Sequence, residues 1–450
     1  MFWTWRKRRA ARRAAKKKRS LEEDDNANTE LAIPSNFRCP ISLDLMKDPV
    51  TLSTGITCDR KSIEKWIEAG NVTCPITKKV LRNLEPIPNH AIRKIIQDWC
   101  VENRSYGVER IPTPRIPITS HEVLEVLAKI EDAIRRNDHE SCLSLVSMIN
   151  SLAKKSDRNK RCIVSIGAGR VLSAAFEALS KRDSIHEHVA LHEEILSMLT
   201  RTLASPLDEE TKSNLSTSES LHSIVWFLRF GSLSSQRNAV IALKVILSCN
   251  DQEMVEDLVK IEGLLDALMK LIQEPICPTT TKASLLATYY IITSSQSNSD
   301  KEAIVSRYLE MGLVQNLLEI LVDSERSICE KALGVLDGIC SHSEGRNKVC
   351  ENVLTVPLLV KKLLRVSDLT TDFSVSILWK LGKGGENGEG TVALEALQVG
   401  AFQKLLLLLQ VGCNETTKEK VTELLKILNL YRNSVECIES LDFKNLKRPF

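Results

Sequence analysis

Apolar positions along this chain follow two rhythms. In the longer stretch a ladder of apolar helix centres runs through Ile149, Leu196, Leu243, Tyr289, Leu336, Leu378 and Leu425, at separations of 47, 47, 46, 47, 42 and 47 residues. Between the rungs a turn glycine precedes a leucine-rich helix, at Gly167, Gly263, Gly312 and Gly400, and Thr355-Val356-Pro357 takes that place once. A helical period of about 40–47 residues marks armadillo or HEAT stacking, in which a unit buries its apolar face only against its neighbours. The turn glycines favour armadillo. The spacing predicts about seven units over residues 121–450, with irregular caps at both ends.

Residues 32–106 carry shorter signals. Val50-Thr51-Leu52 and Ile56-Thr57-Cys58 flank the turn Ser53-Thr54-Gly55, which predicts a hairpin. Asp59 reads as the N-cap of a helix from Arg60 to Ala69, with Ile63, Trp66 and Ile67 on one face and Gly70-Asn71 as its stop. Asn89 reads as the cap of a second helix whose Ile92, Ile95, Ile96 and Trp99 share a face. Loop, hairpin, helix, loop and helix make a small α+β domain, which is marginal on burial alone. Residues 107–120, with Gly107, Pro112, Pro114 and Pro117, read as a linker.

Two turns in this small domain are the candidate chemistry. Cys39-Pro40-Ile41-Ser42 and Cys74-Pro75-Ile76-Thr77 sit where a cross-braced zinc domain places Cys-x-x-Cys pairs, and each has a hydroxyl residue as its second member. A structural zinc needs four Cys or His ligands. Between Ile33 and Trp99 the chain offers Cys39, Cys58, Cys74 and His90, too few for two sites. No metal and no cofactor is expected; hydrogen bonds and a small core would hold the finger. The glycine-rich run Gly382–Gly390 lacks the Gly-Lys-Ser/Thr ending of a phosphate loop, contains two glutamates, and reads as a loop between repeats.

Composition fits this division. Over 450 residues, 43% are apolar and only 4% aromatic, which suits a Leu/Ile/Val-packed solenoid better than a barrel. Thirteen unpaired-looking cysteines suggest reduced thiols in the cytoplasm or nucleus. No apolar run approaches the ~20 residues of a membrane span. The net charge of +3 hides a basic head: residues 6–19 hold ten cations and no acid, leaving residues 1–30 at +5 and the rest at −2. Residues 1–31 read as a disordered basic/acidic tail. The tail leaves three readings open: a solvated segment, a signal for an import receptor, or peripheral attachment to an anionic membrane with Trp3 and Trp5 at the interface. Phe2 in place of Gly rules out N-myristoylation. Nucleic acid is not expected as a partner, since no binding motif accompanies the charge.

Ile33-Pro34, Phe37-Arg38-Cys39-Pro40-Ile41, Asp48-Pro49-Val50, Gly55-Ile56-Thr57, Asp59-Arg60, Ile63, Trp66, Cys74-Pro75, Thr77 and Pro88-Asn89 together resemble the U-box, the zinc-free relative of the RING finger. Cys58 departs from the family, which usually shows Tyr there. Followed by armadillo repeats, the chain resembles the plant U-box/armadillo-repeat class of E3 ubiquitin-protein ligases, and its short basic head resembles the subgroup linked to stress and immunity. The fold implied is a small zinc-free α+β, RING-like domain followed by an all-α, armadillo-type superhelical solenoid. The function implied is recruitment of a ubiquitin-charged conjugating enzyme by the U-box, direct transfer of ubiquitin to substrate lysines without a covalent ligase intermediate, and capture of an unknown protein substrate in the armadillo groove. The resemblance places Ile41, Leu43, Trp66 and Pro75 in the conjugating-enzyme groove and Lys78 where a cation orients ubiquitin. Taken alone, the residues leave Trp66 straddling core and groove, and Lys78 open as a plain surface lysine. The competing class is a catalytically inactive armadillo adaptor. An import receptor would carry a Trp/Asn ladder, and among the seven rungs only Trp379 appears.

Overall fold

In the computed structural model, residues 33–84, 86–112, 118–182, 187–203, 207–249, 251–294, 298–383 and 389–432 are described. They fall into two compact units, divided between Ile116 and Pro117. The basic head lies outside the described residues.

The first unit is built on a three-stranded antiparallel sheet in the order β2-β1-β3, with β1 at Pro49–Thr51, β2 at Thr57–Asp59 and β3 at Ile87–Pro88. Val50 pairs with Cys58 on one side and with Pro88 on the other. Helix α1, Arg60–Glu68, leaves β2 directly, and α2, His90–Glu102, follows β3. Cys39, Val50, Cys58, Ile63, Cys74 and Ile96 are fully buried at the centre.

Several readings of this unit change. Asp59 occupies the N-cap position of α1 but makes no side-chain cap bond there. Its Oδ1 instead accepts from the amides of Lys47 and Asp48, at 2.8 and 2.9 Å, so the carboxylate pins the end of the first loop. On α2, Ile96 and Cys100 form the buried face, while Ile95 points to solvent, 51% exposed. Val108 and Ile111, inside the stretch read as linker, pack in this core. Asn89 does cap α2: its Oδ1 accepts from the Ile92 amide at 3.0 Å.

The second unit is helical throughout its described residues. The seven rungs fall on seven long helices, His139–Lys155, Val189–Thr202, Leu233–Leu247, Pro278–Ser294, Arg326–Ile339, Asp368–Gly382 and Glu415–Tyr431, each packed against the next. A second row runs through Ser120–Arg135, Ala168–Arg182, Ser218–Phe230, Leu264–Gln273, Leu313–Asp323 and Thr355–Lys362. Further helices complete the units; Gly167, Gly263 and Gly312 each lead into a helix of the second row, and Gly400 leads into Ala401–Val411. Gly167, Gly263, Gly312 and Gly400 all have φ near +80°, which only glycine adopts without strain. The chain bends by 71° across Gly167 and by 76° across Gly400. No single helix among the described residues is long and apolar enough to cross a membrane.

Ile149, Leu196, Leu243, Leu336 and Leu378 are buried in one continuous core, but Tyr289 and Leu425 are only half-buried. Tyr289 lies beside Gly334 of the next long helix, across which Phe373 also approaches; a Cβ on Gly334 would meet both rings at 3.4–3.6 Å. Leu425 sits on the last of the seven long helices, with no eighth beyond it among the described residues. The glycine-rich run is shorter as a loop than read: Gly382 closes one helix and Gly390 lies inside the next.

Candidate functional site

The two cysteine turns have one hydrogen-bond pattern. In the first, the Cys39 amide donates to the Asp44 carbonyl and the Leu43 amide returns to the Cys39 carbonyl, both at 2.8 Å. In the second, Cys74 donates to Lys79 at 2.8 Å and Lys78 returns to Cys74 at 2.9 Å. Each turn is closed by an isolated antiparallel bridge, Arg38 with Leu45 and Thr73 with Val80. Each also places a side chain in the left-handed region, Leu43 at φ 63° and Lys78 at φ 58°.

Sulfur sits at the centre of both turns as a hydrogen-bond acceptor. The Asp59 amide donates to Cys39 Sγ at 3.3 Å, and the Thr77 amide to Cys74 Sγ at 3.5 Å. Burial works to raise the Cys74 thiol, but the Thr77 hydroxyl and amide outweigh it and bring the pKa down to about 7. Cys39 is lowered in the same way, burial being overcome by the Asp59 and Ser42 amides and the Ser42 hydroxyl. Ser42 and Thr77, where a zinc finger has its second cysteines, thus serve the first sulfur of each turn. Cys58 lies between: burial, with Cys39 and Cys74 nearby, pushes its thiol up to about 12. His90 is exposed at the start of α2. Among the described residues, no group of three or more Cys, His, Asp or Glu side chains is arranged to hold a metal ion.

A polar brace ties both helices to the sheet. Arg60 Nε donates to Asp48 Oδ2 at 2.6 Å, and Arg93 Nη1 lies 3.9 Å from the other oxygen. Asn89 Nδ2 reaches the hydroxyls of Thr51 and Thr57 at 3.1 and 3.3 Å, bridging β1, β2 and the start of α2.

The side chains singled out by sequence end up in distinct settings. Ile41 and Pro75 are half-buried, Ile41 packing against the core. Leu43 is 69% exposed, an apolar side chain held outward. Trp66 on α1 is half-buried, and its Nε1 donates to the Thr73 carbonyl at 2.7 Å, fixing the ring against the second turn. Lys78 is exposed, its Nζ 5.6 Å from the centroid of that ring. Trp66, Thr73 and Lys78 are therefore brought together. Ile76, passed over as a site residue, is the counterpart of Ile41 in the second turn and is 44% exposed. The matching Cys-Pro-Ile spacing could have found it.

On the solenoid, Trp379 donates through Nε1 to Glu423 at 2.7 Å, and Lys383 lies 4.3 Å from its ring centroid. The chain's own side chains occupy this tryptophan.

Residues 33–105 match the family model of the U-box domain, and residues 122–448 match that of the plant U-box protein ARM repeat region. U-box domain-containing protein 20 of Arabidopsis thaliana is 44% identical over 426 residues, covering 94% of this chain and 93% of that protein. U-box domain-containing protein 21 of the same plant is 44% identical over 430 residues, covering 95% of each. The Arabidopsis E3 ubiquitin-protein ligase PUB23 is 34% identical over 410 residues, covering 88% of this chain and 93% of its own.

Proposed function

The chain belongs to the plant U-box proteins with an armadillo-repeat region, and from that premise we propose that it is an E3 ubiquitin ligase acting by direct transfer. The observation that carries this reading is the pair of sulfur-centred turns, which leave Leu43 69% and Ile76 44% exposed and keep Ile41 and Pro75 half-buried beside them. Leu43 and Ile76 add nothing to the core from these positions, whereas a docking groove for the conjugating enzyme would use them. The substrate amine attacks the thioester carbonyl on that enzyme, the C–N bond forms as the C–S bond breaks, and the thiol leaves. The ligase contributes proximity and orientation. Lys78, at the rim of the groove, supplies a cation that holds ubiquitin's terminal carbonyl in line. The armadillo repeats bind the substrate.

Recruitment of this kind has a typical affinity near micromolar, about −8 kcal/mol. Loss of one central anchor costs ~1–3 kcal/mol. Ile41→Ala should therefore leave the fold intact and abolish ubiquitin-chain formation by the purified chain. Retained activity would remove Ile41 from the groove. A folded wild-type chain inactive with a broad panel of conjugating enzymes would make this an armadillo adaptor. The order of basic head, U-box and repeats supports a role in stress or defence signalling. The ten cations of residues 6–19 support placement in the cytoplasm and nucleus, with an import receptor or an anionic membrane as partner. Imaging of the full chain with these cations neutralised distinguishes the two.

A further inference from the structure

We propose that Trp66 is a positioning residue for Lys78, holding its ammonium at the groove rim through the face of the indole ring; this rests on the reading of Lys78 as the ubiquitin-orienting cation. A lysine is a poor clamp when free, because its four-carbon stem carries ~2 kcal/mol of rotamer entropy and its charge is not forked like that of arginine. Here the freedom is removed at both ends. The left-handed backbone at Lys78, φ 58°, and its amide bond to the Cys74 carbonyl at 2.9 Å set the direction in which the side chain leaves. The ammonium then lies 5.6 Å from the Trp66 centroid, within cation–π range. Among the described residues, that ring is the partner of the Lys78 ammonium.

The ring itself is fixed. Its Nε1–H donates to the Thr73 carbonyl, at 2.7 Å, on the same turn that carries Lys78. Asn71 Nδ2 donates to the Trp66 carbonyl at 3.0 Å, tying the end of α1 to the start of that turn. Trp66 and Lys78 thus move as one body with the second turn. Trp66 also packs in part against the core, so the ring is held by packing and by its Nε1 bond while the ammonium lies over it. Trp66 would then act on turnover through Lys78, apart from any contact of its own with the conjugating enzyme.

A double-mutant cycle on the full chain tests this. The readouts are single-turnover discharge of ubiquitin from a charged conjugating enzyme to free lysine at saturating ligase, and calorimetric affinity for the uncharged enzyme. Trp66→Leu should lower discharge about two- to fivefold, the range of an exposed cation–π contact. It should lower discharge no further when Lys78→Ala is already present. Lys78→Arg, which stacks better, should match or exceed the wild-type rate, and that gain should vanish beside Trp66→Leu. If circular dichroism shows Trp66→Leu unfolded, the same cycle with Trp66→Phe, which keeps a weaker ring, should give a smaller loss still confined to the Lys78 background. Equal losses in both backgrounds, or a loss in affinity alone, would overturn the proposal. An unchanged rate for Lys78→Ala would instead sink the reading of Lys78 itself, and this inference with it.

Discussion

Where the solenoid turns sharply from a short helix into the next, it uses glycine, with Gly167, Gly263, Gly312 and Gly400 at φ 87, 81, 78 and 79°; where the U-box makes its twin turns, it uses Leu43 at 63° and Lys78 at 58°. A Cβ in this region costs roughly 1–2 kcal/mol. The solenoid avoids the cost because these turns only join helices. The U-box accepts it, and at both places the strained residue projects a side chain outward beside the proposed groove. Strain of this kind collects at working sites. The solenoid has strained turns too, at Asn137 and Leu364, but Asn tolerates this region and the Leu364 amide is held by the Thr371 hydroxyl at 3.1 Å.

The two regions are also held by different means. The solenoid shares one apolar core from Val123 to Leu428, each helix row buried by its neighbours. The U-box has a separate core, from Cys39 to Ile111, that is far smaller, and a brace of charged and amide groups supplements it. Damage should therefore be paid for in different ways. The largest effect is expected in the solenoid. Leu243, fully buried, sits on the long helix packed between Val189–Thr202 and Pro278–Ser294. Leu243→Ala should cost ~2–5 kcal/mol, read as a lower denaturant midpoint of the helical circular dichroism signal, while chain formation by the U-box survives below that midpoint. Joint loss of both signals would show that the two cores do not unfold separately.

The brace gives the next effect. Asp48→Ala removes the acceptor of Arg60, in a pair whose side chains are 14% and 25% exposed. A charged hydrogen bond of this kind is worth about 2 kcal/mol. A small domain has few kcal/mol to lose, so the variant should lose ubiquitin-chain formation and become protease-sensitive before residue 112, with the helical signal nearly unchanged. A Phe37–Ile111 region that stays resistant would show that packing alone suffices.

The same contrast explains what could be read in advance. The armadillo ladder was legible because repetition multiplies a weak signal: seven rungs and four glycines agree with one another. In the U-box, the cysteine turns, the hairpin and both helices were legible from local residue types. The third strand was not, being two residues long and half proline. Asp59 was misread because a cap position predicts a cap bond, whereas tertiary contact with Lys47 and Asp48 took the carboxylate. Ile95 was misread because helical spacing allowed it on the face that Cys100 occupies instead. The left-handed turns at Leu43 and Lys78 were invisible, since sequence announces such turns by glycine.

A smaller effect isolates that conformational cost. A Cβ at Gly312 would meet no heavy atom within 4 Å, so Gly312→Ala should cost only the left-handed backbone, about 1 kcal/mol. Gly263→Ala should cost more, because its Cβ would collide with the Arg229 guanidinium, which donates to the Glu262 carbonyl at 2.9 Å. Equal midpoints for the two variants in denaturant would contradict this division.

The smallest effect runs in the opposite direction. Leu43→Gly relieves the left-handed strain but adds freedom to the unfolded chain, an offset of roughly 0.5–1 kcal/mol. The net should be a U-box more stable by about 0.5 kcal/mol, visible as later onset of proteolysis. The same change deletes an apolar side chain that is 69% exposed and packs on no core of its own. Affinity for the conjugating enzyme should fall severalfold as stability rises. Lys78→Gly gives up the ring contact with Trp66 as well, ~0.5–1 kcal/mol at an exposed site, so it should leave stability nearly unchanged, with the loss in discharge rate and little change in affinity. If either substitution destabilises the U-box, its side chain is structural, and the contrast with the solenoid's glycines reduces to local packing.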